Sequence, residues 1–142
     1  MSKWQLMLML ILSLSGAATA DIVVIADVRN ALPALTNRQV MELYLGRQPN
    51  LPGGVSVLPL DLINGQSARQ AFYAALCGKS EAQIDAYWAR LEFAGHMSPP
   101  SQLPTVDAVL DAVQRNPLTI GFVPAQTLPA NVKILLTLAT PP

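Results

Sequence analysis

The sequence predicts a two-layer or three-layer α/β domain, and two observations lead to this fold class. The run Asp21–Asp27 is almost continuously apolar and rich in β-branched residues. Such a run is typical of a strand buried on both faces, as in a largely parallel sheet covered by helices. Three capping boxes of the Ser/Thr-x-x-Gln type, beginning at residues 36, 67 and 80, each precede an apolar-periodic stretch. Each box predicts a helix start, so strands and helices alternate along the chain.

The first half of the domain is predicted to run strand, helix, strand, helix. Thr36 begins a helix that stops at Gly46, a residue suited to a left-handed C-cap. The chain resumes as a strand over Val55–Leu60, where Pro59 predicts an edge or strand-end position because proline cannot donate to a sheet ladder. A second helix is expected to begin at Ser67.

The second half is predicted to add two helices and two strands. The expected elements are a helix from Ser80 toward Gly95, a Pro-rich connector over 96–104, a helix from Thr105 to Asn116, and strands over Leu118–Val123 and Val132–Leu138. Gly121 predicts a close approach of backbones or of a ligand.

The first twenty residues are interpreted as a signal peptide that is removed from the mature protein. An apolar run, Trp4–Leu14, follows a short segment with one lysine, and Ala18–Ala20 matches an A-x-A-like cleavage pattern. The run is shorter than the ~20 residues that a membrane-spanning helix needs. We therefore expect residues 21–142 to form one domain in the periplasm, not membrane-spanning after signal cleavage.

The composition argues against several functional classes. The sequence has nine basic and nine acidic residues, without the basic excess typical of nucleic-acid binding. Cys77 and His96 are the only residues of their types, so neither an internal disulfide nor a zinc or iron–sulfur site is expected. Cys77 is interpreted as a small buried hydrophobe and His96 as a solvated loop residue. No nucleophile–base pair is apparent, so we expect neither enzymatic activity nor a cofactor.

The stretch Leu60–Phe72 is the strongest candidate for a functional site. It is predicted as a strand end, a polar turn and a helix start at Ser67, where unpaired backbone N–H groups and the positive end of the helix dipole could seat an anion. Arg69 would add a positive charge. Alternatively, Ser67 caps its own helix and the turn binds nothing. Asp61 could orient Arg69 and line a crevice, or cap the following turn.

Three segments resemble the phosphate-binding proteins of ABC transporters. Leu35–Arg47 is similar to their Leu-Ser/Thr-x-x-Gln helix, and Val57–Asp61 followed by Gly65–Phe72 is similar to their second strand and Gly-Ser-Gly-Thr-Arg-x-x-Phe anion loop. Asn116–Val123 resembles their Asn-Pro-Gly-Ala-Ile-Gly-Tyr-Val strand. The order of the three segments agrees. The chain thus resembles a short member of the periplasmic-binding-protein-like superfamily, which implies one lobe of a type II fold with a mixed sheet flanked by helices.

The resemblance implies a non-catalytic anion site at the turn before the second helix. The residues that carry over, with their adjacent candidates, are Gly65, Ser67, Arg69, Asn64, Gln66 and Asp61. Two hydroxyl donors of the family are missing, because Gln66 stands for a serine and Ala68 for a threonine.

Two functional hypotheses follow from this resemblance. The first is weak binding of phosphate or another small oxyanion, linked to phosphate transport. The second is a structural or signalling partner of an inner-membrane transporter or sensor that has lost tight ligand binding.

Overall fold

The computed structural model describes residues 21–47, 50–95 and 97–140. The predicted signal peptide, residues 1–20, and the predicted loop residue His96 lie outside the described residues. Within the described ranges, no helix is long and apolar enough to cross a membrane.

The described residues form five strands and four α-helices. The strands are β1 (Ile22–Asp27), β2 (Leu58–Leu62), β3 (Ser101–Leu103), β4 (Thr119–Pro124) and β5 (Val132–Leu138). The helices are α1 (Asn37–Tyr44), α2 (Ser67–Cys77), α3 (Glu81–Phe93) and α4 (Val106–Arg115).

The strands form one mixed sheet in the order β3-β2-β4-β1-β5. β2 runs parallel to both of its neighbours, whereas β1 runs antiparallel to β4 and β5. The mixed sheet flanked by helices is confirmed, and so is the burial of every residue of β1. The expectation of a largely parallel sheet around β1 is wrong, because burial on both faces does not encode the direction of the neighbouring strands.

Two of the three predicted capping boxes form. Thr36 and Ser80 each accept a bond from the backbone N–H three residues on, and Gln39 and Gln83 complete the reciprocal bonds. Helix α2 begins at Ser67 as predicted, but the capping box predicted at Ser67 is wrong. The N-cap is Gln66, whose side chain makes no capping hydrogen bond.

Two strands depart from the predicted elements, β3 at the edge of the sheet and its neighbour β2. β3 lies in the stretch predicted as a Pro-rich connector, and only three residues pair, with β2 alone. β2 begins at Leu58 and not at Val55, and Pro59 lies near its start, as a strand-end proline should.

An aromatic cluster fixes α2 against the sheet. The rings of Phe72 on α2 and Phe122 on β4 are stacked with centroids 3.9 Å apart, and Tyr44 of α1 meets both edge-on. All three are almost completely buried. This packing sets the position of the α2 N-terminus relative to the end of β2, where the candidate site lies.

Candidate functional site

The candidate site is a strand–turn–helix, as the sequence predicts. β2 ends at Leu62 and α2 starts at Ser67, so the turn between them lies at the carboxyl end of β2. Asp61 comes from the last residues of the strand and Arg69 from the first turn of the helix. Both are buried, with 2% and 1% of their surface exposed.

The Arg69 guanidinium is held entirely by groups of the same chain. Its Nε donates to the Asp61 carboxylate at 3.2 and 3.3 Å from the two oxygens. Its Nη1 donates to Asn64 Oδ1 and, at 3.2 Å, to Glu81 Oε1. Its Nη2 donates to Asp85 Oδ1 at 3.3 Å. All three guanidinium nitrogens are therefore engaged.

Asp61 is embedded in this network from the strand side. Its carboxylate accepts a hydrogen bond from the Tyr73 hydroxyl at 2.8 Å and from the Leu62 backbone N–H at 2.7 Å. Burial raises the pKa of Asp61, although Arg69 and the hydrogen-bond donors oppose this rise. Burial, with the adjacent Asp61 charge, also raises the pKa of Tyr73, so the phenol stays protonated and can donate.

Arg69 keeps its charge in spite of its burial. Burial by itself lowers the pKa of Arg69, but the Asp61 and Glu81 carboxylates more than offset this and the net pKa is raised. The guanidinium carbon also lies 5.2 Å from the centre of the Tyr73 ring, a cation–π distance.

The carboxylate of Glu81 contacts the groups that an external anion would use. Its Oε1 accepts from Arg69 and lies 3.4 Å from the Gly65 backbone N–H. Asp85 is tied to the same turn, because Asn64 Nδ2 donates to its Oδ2 at 2.8 Å. One cation thus faces three carboxylates, and an oxyanion that approached the Gly65 amide would meet net negative charge.

The six residues predicted for the site occupy one short stretch of chain, but only some of them take part in the hydrogen-bond network around Arg69. Asp61, Asn64 and Arg69 are joined directly by hydrogen bonds, and Gly65 is joined to them through Glu81. Asp61 therefore contacts Arg69, one of the two alternatives that the sequence left open. Among the described residues, no side-chain hydrogen bond links Gln66 or Ser67 to this network, and Ser67 is exposed.

Sequence reasoning missed Glu81, Asp85 and Tyr73. A signal for each was present. Glu81 and Asp85 have the i, i+4 spacing that places two side chains on one helix face, and Tyr73 stands four residues after Arg69. The connection between α2 and α3 is short, so the start of α3 must return close to α2. Within the described part of the chain, no group of three or more His, Cys, Asp or Glu side chains is arranged to hold a metal ion.

Comparisons with known proteins identify the fold. No protein-family model matches the sequence, and no curated relative matches it. A Clostridium perfringens protein described as a phosphate ABC transporter substrate-binding protein, with bound phosphate, superposes with a TM-score of 0.62 at 17% identity over 82% of this chain. An ABC-type phosphate transport receptor from Vibrio cholerae gives a TM-score of 0.62 at 15% identity, also over 82% of this chain.

The alignments cover less than half of each neighbour. This chain matches 44% of the first structure and 45% of the second. At such low identity the likeness shows the fold alone. The five-stranded mixed sheet with its four helices is therefore a single lobe of a periplasmic-binding-protein-like fold, as the sequence resemblance implies.

Proposed function

We propose that this protein is a non-enzymatic, solute-binding-type lobe in the periplasm whose oxyanion loop is filled by its own carboxylates. It would act as a structural or signalling partner of an inner-membrane transporter or sensor. One observation carries the proposal: the Arg69 guanidinium is 1% exposed and bonded to Asp61, Asn64, Glu81 and Asp85.

Charge is the physical reason for favouring this function. A tight oxyanion site offers several charge-assisted donors that are free before the ligand arrives. Here the buried cation has already been matched by three carboxylates, two of which come from α3. An incoming phosphate would have to displace Glu81 from Arg69 and would then lie beside Asp85.

Weak oxyanion binding is the second candidate, and the start of α2 favours it. Gln66 gives the helix no side-chain cap, and Ser67 is exposed at the first helical position. The first backbone N–H groups of α2 could therefore donate hydrogen bonds to a small anion such as phosphate. One of the structural neighbours was determined with bound phosphate.

Titration calorimetry with phosphate and with sulfate distinguishes the two candidates. We expect no saturable heat from the wild-type protein up to millimolar ligand. We expect the Glu81→Gln/Asp85→Asn double variant to gain measurable phosphate binding, because it keeps the donors of the loop and removes two negative charges. The matched control is Glu92→Gln/Asp107→Asn, which changes net charge equally at two exposed positions outside the network.

Two outcomes would contradict the proposal. If the control double variant gains binding equally, net charge and not the carboxylates around Arg69 is responsible. If the wild-type protein binds phosphate saturably, and Ser67→Asp abolishes this binding by placing a like charge at the start of α2, the weak-binding candidate is correct.

A further inference from the structure

Met97 is an oxidisable side chain in the segment that leads from α3 to β3. It is 38% exposed, so a dissolved oxidant can reach it. The only other methionine of residues 21–142 is Met41 of α1, which is partly buried and packs against the core. A methionine thioether is converted by peroxides to a polar sulfoxide, and enzymes can reverse this change. Met97 is therefore the more accessible of the two thioethers.

The Met97 thioether packs at the end of α1 beside the indole ring of Trp88. Its Sδ and Cε atoms lie 3.3 and 2.9 Å from the point where a Cβ on Gly46 would be. The Cη2 atom of Trp88 lies 2.6 Å from the same point. The thioether and the edge of the indole ring therefore meet over one glycine, in the arrangement of a sulfur–aromatic contact.

This contact joins three parts of the chain at one point. Gly46 follows α1 and has a φ of +74°, in the left-handed region that favours glycine. Trp88 belongs to α3 and is 5% exposed, and Met97 belongs to the segment that follows α3. Apolar packing of the thioether thus helps to hold this segment against α1 and α3.

A sulfoxide at Met97 does not suit this packing. Its oxygen is a strong hydrogen-bond acceptor, whereas the atoms on the glycine side are the carbon edge of an indole ring and the Gly46 backbone. Burying a polar oxygen without a donor is costly, so the oxidised side chain turns toward water. Room for this movement exists, because Met97 also borders an open space between α1 and the segments before β2 and β3.

We propose that Met97 is a site of reversible oxidation by hydrogen peroxide, and that its sulfoxide no longer packs on Trp88 and Gly46. A sulfur lone pair attacks one peroxide oxygen and the O–O bond breaks. After proton transfer the other oxygen leaves as water, so sulfur loses two electrons and the peroxide gains them. The inference does not depend on the function proposed for the Arg69 loop, because Met97 is outside that network.

The test uses the full chain with Trp4→Phe, which leaves Trp88 as the single tryptophan of the two in the sequence. The protein is treated with hydrogen peroxide, and peptide-mapping mass spectrometry locates each added oxygen. We expect one oxygen on Met97, gained in step with a red shift of Trp88 fluorescence as the indole edge loses its apolar neighbour and meets water. Methionine sulfoxide reductases that act on both sulfoxide epimers should reverse both changes.

Three variants in this background assign the fluorescence change to one sulfur atom. Met97→Leu keeps an apolar side chain of similar volume and should lose the response to peroxide. Met41→Leu is the matched control and should respond as the parent protein does. Cys77→Ala should also respond normally, because burial raises the pKa of the Cys77 thiol and leaves little of the reactive thiolate.

The proposal is overturned if peroxide oxidises Met41 before Met97, or if Met97 gains its oxygen while Trp88 fluorescence stays unchanged. It is also overturned if Met97→Leu, shown to be folded by circular dichroism, gives the same red shift as Met41→Leu. If Met97→Leu does not fold, the Met41→Leu protein remains decisive. The time course of oxygen gain at Met97 and that of Trp88 fluorescence must then coincide.

Discussion

Arg69 shows how a charged side chain can be buried in a domain of this size. Its donors meet the carboxylates of Asp61, Glu81 and Asp85 and the amide of Asn64. Tyr73 provides an aromatic face and also donates to Asp61. All three guanidinium nitrogens and the Asp61 carboxylate thereby have hydrogen-bond partners, which is the condition for tolerating a charge in an apolar environment.

Arg69→Met is expected to destabilise the protein strongly. Removing one partner of a buried ion pair leaves Asp61 buried and uncompensated, which costs about 3–5 kcal/mol of unfolding free energy. Urea denaturation followed by circular dichroism measures this loss. Arg38→Met is the control, because the Arg38 side chain is 84% exposed and pairs with Glu42 of the same helix. A loss in Arg69→Met no greater than that of the control would show that the network does not stabilise the fold.

Only part of the Arg69 network could be predicted at this scale. Asp61 and Arg69 are eight residues apart across a strand–turn–helix, so their proximity follows from local geometry. Glu81 and Asp85 belong to the next helix, and their contact with Arg69 depends on how α3 packs against α2. Their spacing places both side chains on one face of α3, but it does not specify which residue of α2 that face contacts. The Ser67 capping box does not form because the N-cap is one residue earlier. The Gln66 carbonyl accepts the Arg69 and Gln70 backbone N–H groups, so Gln66 is the N-cap and Ser67 is the first helical residue.

Secondary-structure elements were predicted well where their signals are local. The capping boxes of α1 and α3 and the left-handed Gly46 after α1 are all present. β3 could not be predicted, because three residues after two prolines carry no periodicity and pair only with β2. The antiparallel pairing of β1 with β4 and β5 could not be predicted either, since the sequence of a strand reflects its burial and not the direction of its neighbours.

Gly121 of β4 lies directly against helix α4. A Cβ added there would lie 2.5 Å from Val109 Cγ1 of α4, so the close approach is to a helix side chain and not, as the sequence had predicted, to another backbone. Gly121→Ala should therefore destabilise the protein by about 1–3 kcal/mol through overpacking.

A double-mutant cycle with Val109→Ala checks the cause of this loss. The cost of Gly121→Ala should fall clearly when Val109 is already alanine, because the clashing methyl group is gone. Urea denaturation of the wild type, both single variants and the double variant gives the coupling energy. Additive losses would mean that the glycine is needed for a reason other than its contact with α4.

At the scale of the whole molecule, the lobe holds together through its first strand, β1. β1 pairs with β4 on one side and β5 on the other, so the two last strands of the chain close around the first. The buried core runs from Ile22 to Leu138. The fold class could be predicted because three sequence segments carry the resemblance, and together they contribute α1, β2, α2 and β4. The order of these segments could not reveal that the Glu81 and Asp85 carboxylates bond to Arg69 at the candidate anion loop.

The structure permits cleavage after Ala20 without damage to the sheet. β1 begins at Ile22, and the Asp21 carbonyl accepts from the Ala125 backbone N–H at 2.8 Å. We therefore expect that the protein expressed in a Gram-negative host is recovered from the periplasm with Asp21 as its first residue. Intact-mass spectrometry of the periplasmic fraction measures this directly.

Two substitutions in the predicted signal peptide test its role in this processing. Ala20→Arg should leave an uncleaved precursor, because the cleavage pattern requires a small residue at that position. Lys3→Arg preserves the positive charge that precedes the apolar run and should be processed as the wild type is. Recovery of a chain that starts within β1, or normal processing of Ala20→Arg, would contradict the predicted boundary. A chain that starts within β1 would also lack pairing partners for β4 and β5 in the sheet.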